Sequence, residues 1–366
     1  METYKKVGIM TFHAADNYGA VLQSFALQRF LSMMGITNEI IDFSPESIIS
    51  ANEPLYIPEK FSLKKLLKQF AILPNYFKLR RRSMRFKSFR VNNLALSQRL
   101  RLPEEIQHIK DAYQVVITGS DQVFNPLTKY SNTYYLKDFN NVVKIAYAPS
   151  FGISKFTLIG EEKRALLRLF YRLSCRESDG AGFLSEICGR DVPTVLDPVF
   201  LLERESWSKL ARCPANGKYI FVYNLNGGEN LIEIARRIKK VTGLPIICVS
   251  TRKYVSFNRG IDELHIDTAP EEFLGYVKDS EFVVTDSFHG SAFSLLFRRK
   301  VLAYVALKNA SSRIFSLFNQ LDIRGQIIDD IEEFKFERIV FKDFNCRLAE
   351  LVKCSQRFLQ EISNNI

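Results

Sequence analysis

The residues best suited to chemistry gather between Glu281 and Phe297, EFVVTDSFHGSAFSLLF, where Thr285, Asp286, Ser287, His289 and Ser291 follow the apolar run Phe282, Val283, Val284. The pattern predicts a buried strand, a sharp turn and an apolar helix. Polar groups then crowd the carboxyl end of the strand. Gly290 lets the backbone come close to a ligand, and the first helical turn exposes unpaired N–H groups. Such a turn is an anion site with a titratable histidine beside it. Open α/β sheets collect ligands just beyond the carboxyl ends of their strands, so the position suits a phosphorylated substrate. A plainer reading meets the same pattern: a capped helix with a core histidine. Asp286 either orients His289 or caps the helix, and the cap is the simpler role.

These residues need elements to hold them, and the amino-terminal half supplies a counterpart. Val7 to Phe12 reads as a short strand, and from Tyr18 the residues Val21, Leu22, Phe25, Leu27, Phe30, Leu31 and Met34 trace a helical face ending at Gly35. The loop between them, HAADNYGA, brings His13, Asp16, Asn17 and Gly19 to a strand's carboxyl end. Asn38 to Phe43 predicts a second strand. Val115 to Thr118 is a third and empties into GSDQVFNP, while Lys144 to Ala148 empties into PSFG. Asp121 in the first of these turns can serve as a base, bind sugar hydroxyls or cap a helix. Glu161 to Leu173 predicts a helix, after which SCRESDGAGFL reads as a short strand, a turn and a helix. Arg176 there is either a planar fork for phosphate or carboxylate, or an ordinary partner of Glu177. Pro193, Asp197 and Pro198 break regular structure and mark a crossing between halves.

Beyond that crossing the pattern alternates. Strands are expected over Tyr219 to Leu225, Pro245 to Ser250, the central run, Val301 to Leu307 and Gln326 to Asp329. Helices are expected over Asn230 to Val241, Glu271 to Val277 and Ser312 to Leu321. This is a parallel, doubly wound sheet. Gly227 and Gly228 lack the spacing of a dinucleotide fingerprint. A last helix, Asp343 to Ile362, carries an apolar face suited to packing back across the first domain.

At 366 residues, 46% hydrophobic and 25% charged, the chain is expected to be a soluble protein of two domains. No apolar run reaches membrane-spanning length, and METYKKVGIMTF lacks a signal-peptide pattern, so a cytoplasmic protein is expected. Six scattered cysteines and four single histidines indicate neither a disulfide framework nor a metal site. The net charge of +11 sits in one segment. Lys60 to Arg90 holds 11 basic residues and no acid, leaving 40 basic against 40 acidic residues elsewhere. Such a block points to a polyanion. Phe61 to Leu73 predicts a basic amphipathic helix, broken at Pro74.

TFHAADNYGAVLQSFAL, VVITGSDQVFNP, KIAYAPSFG, SCRESDGAGFL, TVLDPVFLL, TDSFHGSAFSLLF and SSRIFSLF occur in this order. On these seven blocks the sequence resembles the polysaccharide pyruvyl transferase family from about Val7 to Phe358. The resemblance implies an α/β, GT-B-like fold: two Rossmann-like domains facing across a cleft, with a carboxyl-terminal helix crossing back. Residues 1–190 would form the acceptor side with a basic insertion at 60–90, residues 191–342 the donor side, and residues 343–366 the returning helix. It further implies phosphoenolpyruvate as donor co-substrate, no cofactor, and a sugar acceptor, lipid-linked, in capsular or exopolysaccharide synthesis.

The resemblance associates Arg176 and His289 with donor binding or catalysis; by their own chemistry Arg313, Ser287, Gly290 and Ser291 would also hold the donor, with His289 as acid or proton shuttle. His13, Asn17, Tyr18, Ser120 and Gln122 would meet the acceptor. Some members of the family use a further histidine in mid-chain. None stands here between His108 and His265, so Asp121 or Asp16 would take that role. The alternatives are a nucleotide-sugar glycosyltransferase of the same fold and a non-catalytic relative binding glycan or membrane. A basic segment of this kind would hold the protein peripherally on an anionic membrane; no nucleic-acid motif accompanies it.

Overall fold

A computed structural model describes residues 6–55, 72–153, 155–212, 214–226, 228–253, 260–305 and 312–363. Its strands form two parallel sheets. The first joins β1 (Lys6–Met10), β2 (Asn38–Ile40), β3 (Tyr113–Thr118), β4 (Val143–Ala146) and β5 (Arg172–Leu173) in the order β2-β1-β3-β4-β5. The second joins β6 (Ile220–Asn224), β7 (Ile246–Ser250), β8 (Glu263–His265), β9 (Phe282–Thr285), β10 (Lys300–Tyr304) and β11 (Ile327–Ile328) in the order β11-β10-β9-β6-β7-β8. The central strands β6, β7 and β9 are buried at every position, which is why they read as unbroken apolar runs.

Strand order reverses between β1 and β3 in one sheet and between β6 and β9 in the other. Those reversals open the crevices where doubly wound sheets bind ligands. The loops leaving the first three hold His13, Asp121 and Asn226, and the turn after β9 leads into the helix that carries His289.

The helices that bear on the site are α1 (Tyr18–Met33), α2 (Tyr76–Asn93), α3 (Ser178–Cys188), α4 (Pro270–Asp279), α5 (Phe288–Leu296), α6 (Ser312–Gln320) and α7 (Asn345–Ser363). Helix α1 is buried nearly all round because it packs against the crossover turn Pro198–Leu201 and against α4 and α5 of the other half. One apolar core therefore runs through both halves, from Ile9 and Val21 to Phe273 and Phe293. Helix α7 returns to the first half. Phe358 packs on Tyr147, Arg172 pairs with Glu361 at 2.9 Å, and Ser355 Oγ accepts the Leu196 N–H.

Two expectations need correction, and one element was not expected at all. The helix over Glu161 to Leu173 stops at Arg168, because Arg172 and Leu173 pair with β4 as β5. The short strand β8 carries too few residues to show a period and was not foreseen. The basic block is also not simply a polyanion surface. Arg82 of α2 is buried and donates to the Thr251 and Ile266 carbonyls, Arg85 pairs with Glu272 at 2.7 Å, Arg81 with Asp267 at 3.1 Å, and Arg90 with Asp16 at 3.0 Å. Four of its cations thus tie α2 down, three of them to the second half. The helix expected over Phe61 to Leu73 falls mostly outside the described residues. No helix among those described is long and apolar enough to cross a membrane.

Candidate active site

A cleft of about 800 Å³ opens between the two sets of loops, lined by Asn17, Asp121 and Gln122 from the first half and Ser287, His289 and Arg313 from the second. Each lining residue owes its place to a local rule. Asn17 caps α1, accepting the Ala20 N–H. Ser287 caps α5, accepting the Gly290 N–H at 3.2 Å. Asp286 is not the cap: its carboxylate accepts the Leu225 and Asn226 N–H groups, both at 2.9 Å, and so fixes the loop after β6.

Asp121 has φ 74° and ψ −174°, a region that only glycine enters freely. The strain, of order 1–3 kcal/mol for such residues, is maintained by its carbonyl, which accepts the Val123 and Ser150 N–H groups. It turns the Asp121 carboxylate toward the cleft and to within 4.0 Å of Arg176 Nη2.

His289 sits at the first turn of α5, almost wholly buried. A Cβ added to Gly19 would fall 2.0 Å from its Nδ1, so α1 and α5 meet here only because residue 19 has no side chain. The other ring nitrogen, Nε2, lies 3.3 Å from Asp197 Oδ2, not aligned for a hydrogen bond. Asp197 Oδ2 also accepts from Arg176 Nη1 at 2.6 Å and Ser120 Oγ at 2.8 Å, while Oδ1 accepts the Val199 N–H. Burial alone would raise the pKa of Asp197. His289, Arg176 and the Val199 N–H outweigh it and hold the carboxyl well below its usual range.

Arg176 is buried with its guanidinium 4.2 Å over the Phe288 ring, and its Nε and Nη2 have no hydrogen-bond partner. The partner left open by the sequence is thus Asp197, and Glu177 instead accepts from Ser150 Oγ and Cys175 Sγ. Burial pushes the Glu177 carboxyl up despite Arg176 and Arg313 nearby. Arg313 makes no ion pair among the described residues. Its pKa is lowered, first by burial and then by the like charge of Arg176.

The chain's family can be judged against this geometry. The family model for polysaccharide pyruvyl transferase matches residues 17–306. This chain belongs to the polysaccharide pyruvyl transferase family. The matched span runs from the cap of α1 to the end of β10 and contains Arg176, Asp197 and His289. Comparison with curated sequences returns no match. Among solved structures, a putative UDP-N-acetylglucosamine 2-epimerase from Listeria monocytogenes is similar at TM-score 0.51 and 12% identity, covering 97% of this chain and 90% of its own. The UDP-GlcNAc 2-epimerase from Methanocaldococcus jannaschii gives TM-score 0.49 and 13% identity, covering 98% and 99%. The fold of this pyruvyl transferase family member is GT-B-like.

Several residues singled out from the sequence lie elsewhere than the cleft surface. His13 is buried beside it, with Nε2 3.0 Å from Asp42 Oδ1 and Nδ1 3.2 Å from the Thr11 carbonyl. Tyr18 is core: it stacks on Phe273 at 4.5 Å and donates to the Thr268 carbonyl. Asp16 is held by Arg90, and burial outweighs that cation and raises its pKa. Ser120 is buried against Asp197. Ser291 donates to the Ser287 carbonyl within its own helix. Gly290 is required by Thr285 and Tyr223, which a Cβ would meet at 2.6 and 3.0 Å.

Asp197 is the residue that sequence reasoning used only as a boundary. Its signal was a lone buried-type acid inside the apolar run TVLDPVFLL. No cluster of His, Cys, Asp and Glu among the described residues has the geometry to hold a metal ion.

Proposed function

We infer that this family member moves the pyruvyl group of phosphoenolpyruvate onto two hydroxyls of one sugar, on a lipid-linked precursor of a capsular or exopolysaccharide at the cytoplasmic face of the membrane. One observation carries the reading: Arg313, a helix amino terminus and His289 line one cleft, and Arg176 lies buried behind it against Asp197 with Nε and Nη2 unpartnered. Phosphoenolpyruvate presents a carboxylate, a phosphate and a carbon that must be protonated. Arg313 and the α5 amino end suit the phosphate, and Arg176 suits the carboxylate. His289 supplies the proton to the methylene carbon, and one sugar hydroxyl attacks the adjacent carbon. The second hydroxyl then forms the second C–O bond as phosphate leaves. The two hydroxyl protons end on the new methyl group and on phosphate, which balances the reaction. Asp121, on the cleft wall, would take a hydroxyl proton.

The test is incubation with phosphoenolpyruvate and a panel of lipid-linked and nitrophenyl glycosides. Phosphate release and an acceptor mass gain of pyruvate minus water are expected. Thermal stabilisation by UDP-sugars and not by phosphoenolpyruvate would replace this reading with a nucleotide-sugar glycosyltransferase.

A further inference from the structure

We propose that Asp197 is the positioning residue of this site, a single carboxylate on the crossover between the halves that orients His289 while holding Arg176 with its remaining donors free. The inference rests on the pyruvyl-transfer reading for its kinetic arm only.

Asp197 gathers groups from three elements of the fold. Ser120 comes from the turn after β3, Arg176 from the turn after β5, and His289 from the first turn of α5 in the other half. Its own position is fixed from both sides: Oδ1 caps the turn Pro198–Leu201 through the Val199 N–H, and Arg176 lies over Phe288, the neighbour of His289. A carboxylate so placed favours one orientation of the imidazole, with a proton on Nε2 and Nδ1 turned to the side of Gly19. The 3.3 Å separation, not yet aligned, is of the kind that tightens when substrate binds. Arg176 gives only Nη1 to Asp197 and Ser120, so Nε and Nη2 stay without a hydrogen-bond partner, Nη2 being 4.0 Å from Asp121 Oδ1. The other charged groups around this cluster are Asp121, Glu177 and Arg313, and none of them is closer to the imidazole in an ion pair among the described residues.

The experiment has an arm that needs no substrate. ¹⁵N shifts of the His289 ring in the wild-type chain, assigned by the resonance missing in His289→Gln, are expected to show a protonated Nε2. A bare Nε2 overturns the proposal. The second arm is Asp197→Asn, which keeps the shape and removes the charge. With phosphoenolpyruvate and a glycoside the wild type accepts, kcat is expected to fall at least about 100-fold. Phosphoenolpyruvate affinity by calorimetry is expected to stay within about threefold, because Arg176 then lacks a competing anion. A kcat within tenfold of wild type, or equal loss of affinity and kcat in a chain with an unchanged melting curve, overturns it. If the Asn variant does not fold, Asp197→Glu is measured in the same way, and full activity there overturns it. Should the wild type turn over no glycoside, the pyruvyl-transfer reading fails while the ring measurement still decides the role of Asp197.

Discussion

At the scale of single residues the site is governed by what has been left out as much as by what is present. Gly19 faces the imidazole of His289, and adding one methyl group there places a carbon 2.0 Å from Nδ1. Gly19→Ala is therefore expected to cost about 1–3 kcal/mol by overpacking, read from urea unfolding. Turnover should fall with it. Gly182 in α3 is the control: it is exposed with nothing near its missing Cβ, so Gly182→Ala should be neutral or gain up to about 1 kcal/mol. Equal effects of the two substitutions would mean that the His289 contact does not constrain the chain. Arg176 is a different case. Arg176→Ala leaves Asp197 buried without its closest cation, at a cost of about 3–5 kcal/mol, so donor affinity and stability should drop together. Phosphoenolpyruvate titrations paired with melting curves separate that outcome from a pure binding defect.

Among the elements, the loop after β1 is held by His13, expected from the sequence to meet the acceptor, and by Asp42, which the sequence did not single out. Burial raises the pKa of Asp42, while His13, Ser44 and Arg99 lower it more, leaving it at about 2 against an ordinary 3.8. The folded value lies below the unfolded one. Its contribution is therefore complete above about pH 4 and disappears as pH falls toward 2, on the order of 2 kcal/mol in all. Asp42→Asn should flatten the loss of stability between about pH 4 and pH 2, measured by urea midpoints. A wild-type slope retained in the variant would place the acid-sensitive groups elsewhere. The strands and helices themselves were legible because buried parallel strands keep long apolar runs and helices keep their period, as β9 and α5 show. His289 and Arg176 were legible because a histidine and an arginine at strand ends stand out. Asp197, the side chain between them, was not: its partners lie 77, 21 and 92 residues away, and such contacts leave no local spacing. The same limit hid the roles of His13 and Tyr18, whose burial depends on Asp42 and on Phe273.

The whole molecule joins its halves through one continuous core and through α2, and that arrangement gives α2 an inward face that binds and an outward face that does not. Arg82 and Arg85 face inward and bind the second half, so changing them would loosen the clasp rather than test a surface. The outward face of α2 is different. Phe77 is 78% exposed, Met84 62% and Val91 67%, one apolar side chain every seven residues, with exposed Lys78, Arg80 and Lys87 among them. Our reading places the acceptor on a lipid, and this face has the composition to rest on an anionic leaflet. Each cation near such a surface contributes roughly 1 kcal/mol, so these three give reversible attachment that weakens with salt. In co-sedimentation with vesicles containing phosphatidylserine, the wild type should pellet at low ionic strength and be released at high. A variant with Lys78, Arg80 and Lys87 all changed to Glu should stay in the supernatant in both, with an unchanged melting curve. Reduced pelleting of Phe77→Ser with the charges intact would show that the apolar row also enters the interface. Equal sedimentation of wild type and the triple variant, or none of either, would assign the outward face of α2 to solvent and remove the membrane from this enzyme's function.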